Sequence, residues 1–208
     1  MTVYVDDINI FGLDEENIIA TKAFMKEQFE MPDLGEGSYY LGMHVQKHDD
    51  GSIVLHQSTY IKQLLNKYGL NNIKGSKIPM DNKKKLSVER SKTATQEFRK
   101  RYQSMVGSLN YLVRRLRPDI ALCVSEVASF NSNPNAEHMD AVEDIYAYLS
   151  ETHDRGTTFF ANADGGGSLK GYVDSDWAGC INTSRSTTGW VHCTWAIAAA
   201  LRRKHEHL

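Results

Sequence analysis

The sequence VYVDDINIFG, at residues 3–12, places two adjacent carboxylates inside a run of β-branched and aromatic side chains. Valine, isoleucine, tyrosine and phenylalanine favour pleated, half-buried strands, whereas aspartate favours turns. The pattern therefore predicts a β-hairpin over residues 2–11 with Asp6 and Asp7 at its tip. Taken alone, an Asp-Asp pair in a turn is usually a pair of solvated acids, so the motif does not by itself indicate a metal site.

Helical and strand patterns are mixed along the rest of the chain. Helices show an apolar side chain every three to four residues, and strands show alternation. The first part of the chain is predicted to contain a helix from Asp14 to Pro32, strands at 39–46 and 52–56 joined by a turn at 49–51, and a helix from Ser58 capped by Gly69. A linker at 75–101 follows, with helices that begin near Phe98, Pro118 and Asn133. The last part is predicted to contain strands at 157–161, 169–174 and 189–195 with a turn at 165–167, and a short alanine-rich helix or frayed tail after Trp195. Because there is no regular βαβ alternation, we predict an α+β fold.

Composition limits the class of protein. The chain has 208 residues, of which 41% are hydrophobic and 24% charged, so it can bury a core. Its net charge of -2 gives no general basic field, and a nucleic-acid partner would need a local patch. No apolar run approaches the roughly 20 residues that span a bilayer, and the first residues lack a signal-peptide pattern. We therefore expect an intracellular protein, cytoplasmic or nuclear, with no membrane partner.

Side chains that ligate soft metals form no recognisable motif. The cysteines have no CxxC spacing, which predicts neither a zinc site nor a disulfide framework and suits a reducing compartment; they are Cys123, Cys180 and Cys193. His44, His48 and His56 can approach one another across the second hairpin. Such a group is more often a cluster of surface histidines than a metal site.

Several segments in a fixed order resemble the copia-type LTR-retrotransposon Pol polyprotein. They are VYVDDINIFG, MPDLGEGSYYLGMHV, HQSTYIKQLLNKYGL, SKIPM, YQSMVGSLNYLVRRLRPDIALCVSEVASFNSNPNAEHMDAVEDIYAYLSET, GYVDSDWAGC and RSTTGW. The resemblance extends from about residue 3 to about residue 193, and it matches the C-terminal part of reverse transcriptase followed by the opening of ribonuclease H. It implies a partial palm and adjoining thumb in residues 1–80, a linker and helical thumb or connection segment in 81–155, and a truncated ribonuclease H-like segment in 156–208.

The resemblance also implies a set of catalytic and metal-binding acids. Asp6 matches the family's metal-binding position, Asp7 is its neighbour, and Asp174 matches the first metal-binding aspartate of ribonuclease H. Two Mg²⁺ ions roughly 4 Å apart can activate a 3′-hydroxyl and neutralise a pyrophosphate leaving group, and such hard cations prefer carboxylate oxygens. The implied cofactor is therefore Mg²⁺.

An RNA/DNA primer-template is the partner that the resemblance implies. The strand with Leu41 and Gly42 resembles the region near the family's primer grip, and Tyr4 lies beside the acidic pair. Lys62 and Lys67 lie on the helix that follows, where cations can run along phosphates and release counterions. Without the resemblance, these residues would be read as an ordinary half-buried hairpin and a solvated helix face.

We expect the catalytic sites of this family to be incomplete in the present chain. In the family, a further metal-binding aspartate and the fingers lie upstream of Tyr4, and ribonuclease H needs a glutamate on a later helix; the chain starts three residues before Tyr4. A partial ligand set should hold Mg²⁺ weakly, and the missing upstream polymerase segment becomes a candidate partner. The alternatives are a non-catalytic module that binds nucleic acid or protein, and a retroelement remnant without a selected role.

Overall fold

The structure, a computed structural model, describes residues 1–12, 14–81, 86–87, 93–160, 170–175, 186–193 and 198–204. Helices and strands are mixed along this part of the chain, which confirms the α+β class. The chain divides into two compact units, Met1–Tyr40 and Leu41–Leu208, which are described separately below. The division into palm, thumb and ribonuclease H segments stays a prediction.

The first unit opens with the hairpin that the sequence predicts. Strands β1 (Thr2–Tyr4) and β2 (Asp7–Asn9) pair antiparallel, and Tyr4 lies opposite Asp7. The turn is therefore the two residues Val5 and Asp6, and Asp7 begins the second strand rather than sharing the tip. The short strand β3 (Tyr39–Tyr40) ends the unit.

Helix α1 (Glu15–Gln28) follows β2 and precedes β3 along the chain, and it begins where the sequence predicts. The Asp14 carboxylate accepts a hydrogen bond of 3.0 Å from the Glu16 amide, which satisfies one of the free donors of the first turn. Ile18 and Met25 are half-buried, but no residue of α1 is fully buried. Phe29 is 56% exposed and lies just beyond the end of the helix, which is shorter than the predicted range to Pro32.

The core of the second unit is a group of helices. These are α2 (Ser58–Tyr68), α3 (Gln96–Arg115), a 3₁₀ turn (Pro118–Ile120), α4 (Ala121–Ala128) and α5 (Ala136–Glu151). Their apolar stripes meet, and the most deeply buried side chains include Ile61, Tyr102, Met105, Leu109, Leu112, Val127, Val142, Ile145, Tyr146 and Leu149. The Tyr102 hydroxyl donates to the Val127 carbonyl at 2.7 Å and the Tyr146 hydroxyl to the Met105 carbonyl at 3.1 Å, so buried phenols tie α3 to α4 and α5.

The ends of two helices show how local sequence sets their length. Gly69 has φ of +74°, a left-handed conformation that glycine adopts without strain, and it ends α2 as the sequence predicts. Helix α5 begins at Ala136, three residues later than the predicted Asn133 start. Its cap is Asn135, whose side chain accepts from the His138 amide while the Asn135 amide donates to His138 Nδ1.

The segment at 75–101 differs from the predicted linker in its described parts. Met80 and Leu86 are buried in the helical core, and the Ser76 amide donates to the Ala147 carbonyl at 3.1 Å. Helix α3 already begins at Gln96, capped by the Thr95 hydroxyl. The lysines at 83–85 of this predicted linker lie outside the described residues.

A sheet in the second unit carries the second predicted hairpin. Strands β4 (Met43–Lys47), β5 (Ile53–His56) and β6 (Gly156–Phe159) pair antiparallel in that order. The predicted strand at 39–46 is interrupted because Leu41 and Gly42 have φ of +50° and +80°, outside the range of a β-strand.

The other sheet contains β7 (Lys170–Ser175), β8 (Thr187–Cys193) and β9 (Ala198–Lys204), all antiparallel. The prediction of an alanine-rich helix or frayed tail after Trp195 is wrong for β9, which pairs along the whole of β8. Alanine's helix preference is below about 1 kcal/mol per residue, and ladder pairing with a neighbouring strand can outweigh it. The predicted turn at 165–167 lies outside the described residues.

Two glycines of the second unit should respond oppositely to alanine. A Cβ at Gly156 would overlap the backbone carbonyl of Leu55 across the sheet, whereas a Cβ at Gly107, on the exposed side of α3, meets nothing within 4 Å. We expect Gly156→Ala to lower the free energy of unfolding by about 1–3 kcal/mol. Gly107→Ala should raise it by about 1 kcal/mol because alanine favours helix. Urea denaturation of both variants checks this, and a Gly156→Ala chain as stable as the parent would contradict the strand pairing.

Candidate metal and nucleic-acid site

The acidic turn is tight and strained. Val5 has φ of +50°, the left-handed region that a β-branched residue rarely enters. A positive φ at the first of two turn residues matches the twist of primed hairpin turns, at a strain cost of about 1–2 kcal/mol for a residue with a Cβ. Asp6 and Asp7 are both exposed. The turn thus holds two adjacent carboxylates in a narrow hairpin tip that solvent and ligands can reach.

The chemistry of these acids suits a hard divalent cation but fills only part of its coordination. Mg²⁺ demands six oxygen ligands in near-octahedral geometry and usually keeps several waters. Two carboxylates from one hairpin can supply some of these ligands. Within the ranges that the structure describes, no group of three or more His, Cys, Asp or Glu side chains converges in a way that could hold a metal.

Asp174 lies in the second unit on β7, opposite Gly189 of β8. Its side chain is exposed, and its carboxylate accepts a hydrogen bond of 2.9 Å from the Ser175 amide. The strand setting is the one we predicted. The rest of the motif, residues 176–180, lies outside the described part of the chain.

The predicted nucleic-acid contacts lie in both units. Tyr4, in the first unit, is 57% exposed beside the acidic turn. In the second unit, Leu41 and Gly42 form a half-buried turn, and Lys62 and Lys67 lie on the exposed side of α2. These four residues therefore all lie in the second unit, and the surface of that unit also includes residues of helix α3.

A row of aromatic and cationic side chains between α2 and α3 extends this surface, and sequence reasoning missed it. We call it the α2–α3 seam, formed by Tyr60, Lys67, Tyr68, Arg101, Ser104, Ser108, Tyr111 and Arg115. On α3, positions 101, 104, 108, 111 and 115 repeat every three or four residues, beside the apolar stripe. That periodicity marks the α3 side of the seam in the sequence, but it does not show that α2 lies next to it.

Contacts along the seam fix its side chains. The Tyr68 hydroxyl lies 2.9 Å from Ser104 Oγ and 3.0 Å from Ser108 Oγ, and Arg101 donates to the Tyr68 carbonyl at 3.0 Å. Lys67 Nζ lies 5.0 Å from the centroid of the Tyr68 ring. At the other end, the Arg115 guanidinium lies 5.5 Å from the Tyr111 ring, itself edge-on to Tyr60. Cations at both ends and aromatic rings between them are suited to phosphates and unstacked bases.

A second feature that the sequence did not reveal is a buried ion pair. Arg117 is 1% exposed, and its guanidinium makes two parallel bonds to Asp119, 2.9 Å from Nε and 2.8 Å from Nη2. Arg117 also donates to the Thr152 carbonyl at 2.7 Å, and the Tyr148 hydroxyl donates to Asp119 at 2.9 Å. Burial raises the pKa of Asp119, but the bonds and charge of Arg117 outweigh it, so the pKa lies below its ordinary value. This network joins the end of α5 to the start of the 3₁₀ turn.

Comparisons with known proteins identify the lineage. Residues 1–82 match the family model of reverse transcriptase (RNA-dependent DNA polymerase). The chain is 37% identical over 198 residues to a retrovirus-related Pol polyprotein from transposon TNT 1-94 of Nicotiana tabacum, and 34% identical over 191 residues to one from transposon RE1 of Arabidopsis thaliana. Each match covers 92% of this chain, which spans only 14% and 13% of those two proteins.

A shorter relative has nearly the same extent. It is described as uncharacterized mitochondrial protein AtMg00810 of Arabidopsis thaliana, is 32% identical over 195 residues, and the match covers 94% of this chain and 78% of the relative. No solved structure gives a significant match. None of the helices in the described ranges has the length and apolar character needed to cross a bilayer. The ordered motifs, the family model and these relatives together show that the chain belongs to the family of copia-type retrotransposon Pol polyproteins.

Proposed function

We propose that this chain supplies the acidic hairpin and part of the nucleic-acid surface of an RNA-directed DNA polymerase, and that it is catalytically incomplete by itself. The observation that carries the proposal is the strained two-residue turn that contains Asp6 and leads directly to Asp7 at the start of β2, within the segment that matches reverse transcriptase. Two carboxylates on one turn leave most positions of a Mg²⁺ ion to other ligands. Another segment of the much longer Pol polyprotein is the candidate source, and the primer-template is the candidate substrate.

The chain's own residues would bind and orient in this reaction. Asp6 and Asp7 would hold divalent cations, which when bound help to deprotonate a 3′-hydroxyl and stabilise the charge on the leaving pyrophosphate. The tight hairpin fixes the backbone from which both carboxylates project, so the two acids stay next to each other at one end of the hairpin. In the second unit, Asp174 would play the same part in a ribonuclease H-like segment, again with ligands from elsewhere.

The seam supports the nucleic-acid half of the proposal. It brings Lys67, Arg101 and Arg115 together with the exposed ring of Tyr111 and the half-buried ring of Tyr60 on a chain whose net charge is -2, so the positive charge is local. Lys62 adds a further exposed cation on α2. A local basic and aromatic row favours single strands and primer-template backbones over base-specific contacts.

Removing the two lysines of α2 tests this surface. We expect Lys62→Gln/Lys67→Gln to weaken primer-template binding about tenfold at low salt and to reduce the slope of log affinity against log salt by about 2, because two counterion-releasing contacts are lost. Fluorescence anisotropy over a salt series measures both quantities. The control is Lys170→Gln, which removes an exposed lysine of β7. Equal slopes for the double variant and the parent would remove these lysines from the contact surface.

Primer extension distinguishes the proposed polymerase segment from a non-catalytic binding module. A segment of polymerase should support Mg²⁺-dependent extension when residues 1–82 replace the matching segment of an active copia-type polymerase. A module that only binds would retain the salt-dependent affinity but give no extension in that chimera.

A further inference from the structure

Two histidines join the β4–β5 hairpin to helix α2. His44 and His56 lie directly opposite each other in the antiparallel ladder, and their rings stack with centroids 4.9 Å apart and an interplanar angle of 11°. His44 Nε2 lies 2.7 Å from Thr59 Oγ in the first turn of α2. The stacked pair therefore connects two strands and a helix at one corner of the second unit.

This corner contains buried polar atoms whose hydrogen bonds are not satisfied. His56 Nδ1 is buried and has no partner among the described residues. The adjacent Gln57 is 1% exposed, and both polar atoms of its side-chain amide are likewise unpartnered within the described chain. An imidazolium donates from both nitrogens, so protonating His56 would place a second N–H donor where no acceptor is in reach.

Charges from three elements act on His56. His44 faces it from β4, Lys62 from α2 and His153 from the segment after α5, and each opposes a positive charge on the ring. Asp154 favours that charge. Burial first, and then His44, outweigh Asp154, and the pKa of His56 lies below its ordinary value of 6.5.

We propose that the stacked His44–His56 pair is an acid-sensitive joint, which holds the β4–β5 hairpin on α2 while the His56 ring is neutral and releases it when that ring is protonated. A positive charge on His56 would lie in the ring stack with His44, 4.9 Å away between centroids, and would place a second N–H donor in the buried corner that contains His56 Nδ1. Separation of the rings also breaks the contact with Thr59, so the change is transmitted to the helix. The proposal concerns the conformation of this unit and does not depend on the polymerase function.

The sign of the pH effect follows from proton binding. The folded chain, in which the pKa of His56 is lowered, binds fewer protons than the unfolded chain below about pH 6.5. Stability should therefore fall as pH falls through that value and level off below the folded pKa. In the pH range where unfolding is coupled to the uptake of one proton, the unfolding constant rises about tenfold for each unit by which the pH is lowered.

Urea denaturation of the full chain at about pH 7.5, 6.5 and 5.5 tests the joint. His56→Phe retains a flat ring but cannot be protonated, so we expect the rise in the unfolding constant on acidification to be smaller than in the parent, by at most about tenfold per pH unit. The control is His48→Phe, which removes an exposed histidine of the neighbouring turn that takes no part in the stack, and it should not reproduce the change caused by His56→Phe. An unchanged pH dependence in His56→Phe would overturn the proposal.

A second measurement needs no substitution and stays decisive if His56→Phe does not fold. Nuclear magnetic resonance titration of the parent should show His56 titrating with a pKa below its ordinary value of 6.5. Amide hydrogen exchange at Val45 and Leu55, which are paired across β4 and β5, should lose protection in the same pH range. A His56 midpoint at or above 6.5, or undiminished protection of these amides, would overturn the joint.

Discussion

Replacing Asp119 by alanine should lower the free energy of unfolding by about 3 kcal/mol. Arg117, 1% exposed, would keep its charge but lose two hydrogen bonds and its counterion, and the Tyr148 hydroxyl would lose its acceptor. Breaking a buried ion pair by removing one partner typically costs about 3–5 kcal/mol. The low end applies here because the Asp119 side chain is 37% exposed and already partly hydrated.

Urea denaturation with Asp144→Ala as the control measures this cost. Asp144 is also an aspartate of the second unit, but it lies on the exposed side of α5, and its replacement should change stability by no more than about 0.5 kcal/mol. Equal stabilities of the two variants would show that Arg117 does not depend on Asp119. The lost stability should also depend on pH: because the pKa of Asp119 is lowered, its contribution is present above about pH 4 and disappears as pH falls through the folded pKa.

Replacing Asp6 by asparagine should abolish most of the activity of an assembled polymerase. In the chimera that carries residues 1–82, we expect primer extension to fall at least about a thousandfold. Asparagine keeps the size of the side chain but removes the negative charge that holds the cation. A catalytic metal contributes several kcal/mol to the transition state, and each 1.4 kcal/mol is about tenfold in rate.

Asp14→Asn is the matched control for that experiment. It makes the same substitution in the same unit, at the cap of α1, where asparagine caps a helix as well as aspartate does. Extension by this variant should equal that of the parent chimera. If Asp6→Asn extended a primer within tenfold of the parent, Asp6 would not be a ligand of the catalytic cation.

Elements set by neighbouring residues were predictable from the sequence. The hairpin around Asp6, the start of α1 at Asp14 and the end of α2 at Gly69 each depend on a turn residue or cap within a few positions. The apolar stripes of the later helices were predictable for the same reason, since a 3.6-residue period needs no knowledge of the partner. Asp6 was placed correctly at the hairpin tip, whereas the prediction that Asp7 shares the tip is wrong because Asp7 begins β2.

Features that depend on distant partners were not predictable. Strand β9 is alanine-rich, and only its pairing with β8 makes it extended. The break after Tyr40 depends on Leu41, a residue that rarely adopts positive φ. In the sequence Arg117 resembles an ordinary surface cation, because its hydrogen bond to the Thr152 carbonyl joins residues that are 35 positions apart. The seam likewise requires α2 and α3 to be adjacent. The metal role of Asp6 came from resemblance, because two acids in a turn are common.

Metal-directed cleavage can locate the cation site directly. Fe²⁺ can occupy oxygen-ligand sites in place of Mg²⁺, and the radicals that it generates with peroxide cut the backbone nearby. In the chimera we predict cleavage near residues 4–8 at a low concentration of Fe²⁺. Excess Mg²⁺ should suppress this cleavage, and Asp6→Asn should abolish it. The isolated chain should need a far higher concentration of Fe²⁺ for the same cleavage. Cleavage of the isolated chain at the same low Fe²⁺ as the chimera, or no cleavage near residues 4–8 in the chimera, would contradict a shared metal site on this hairpin.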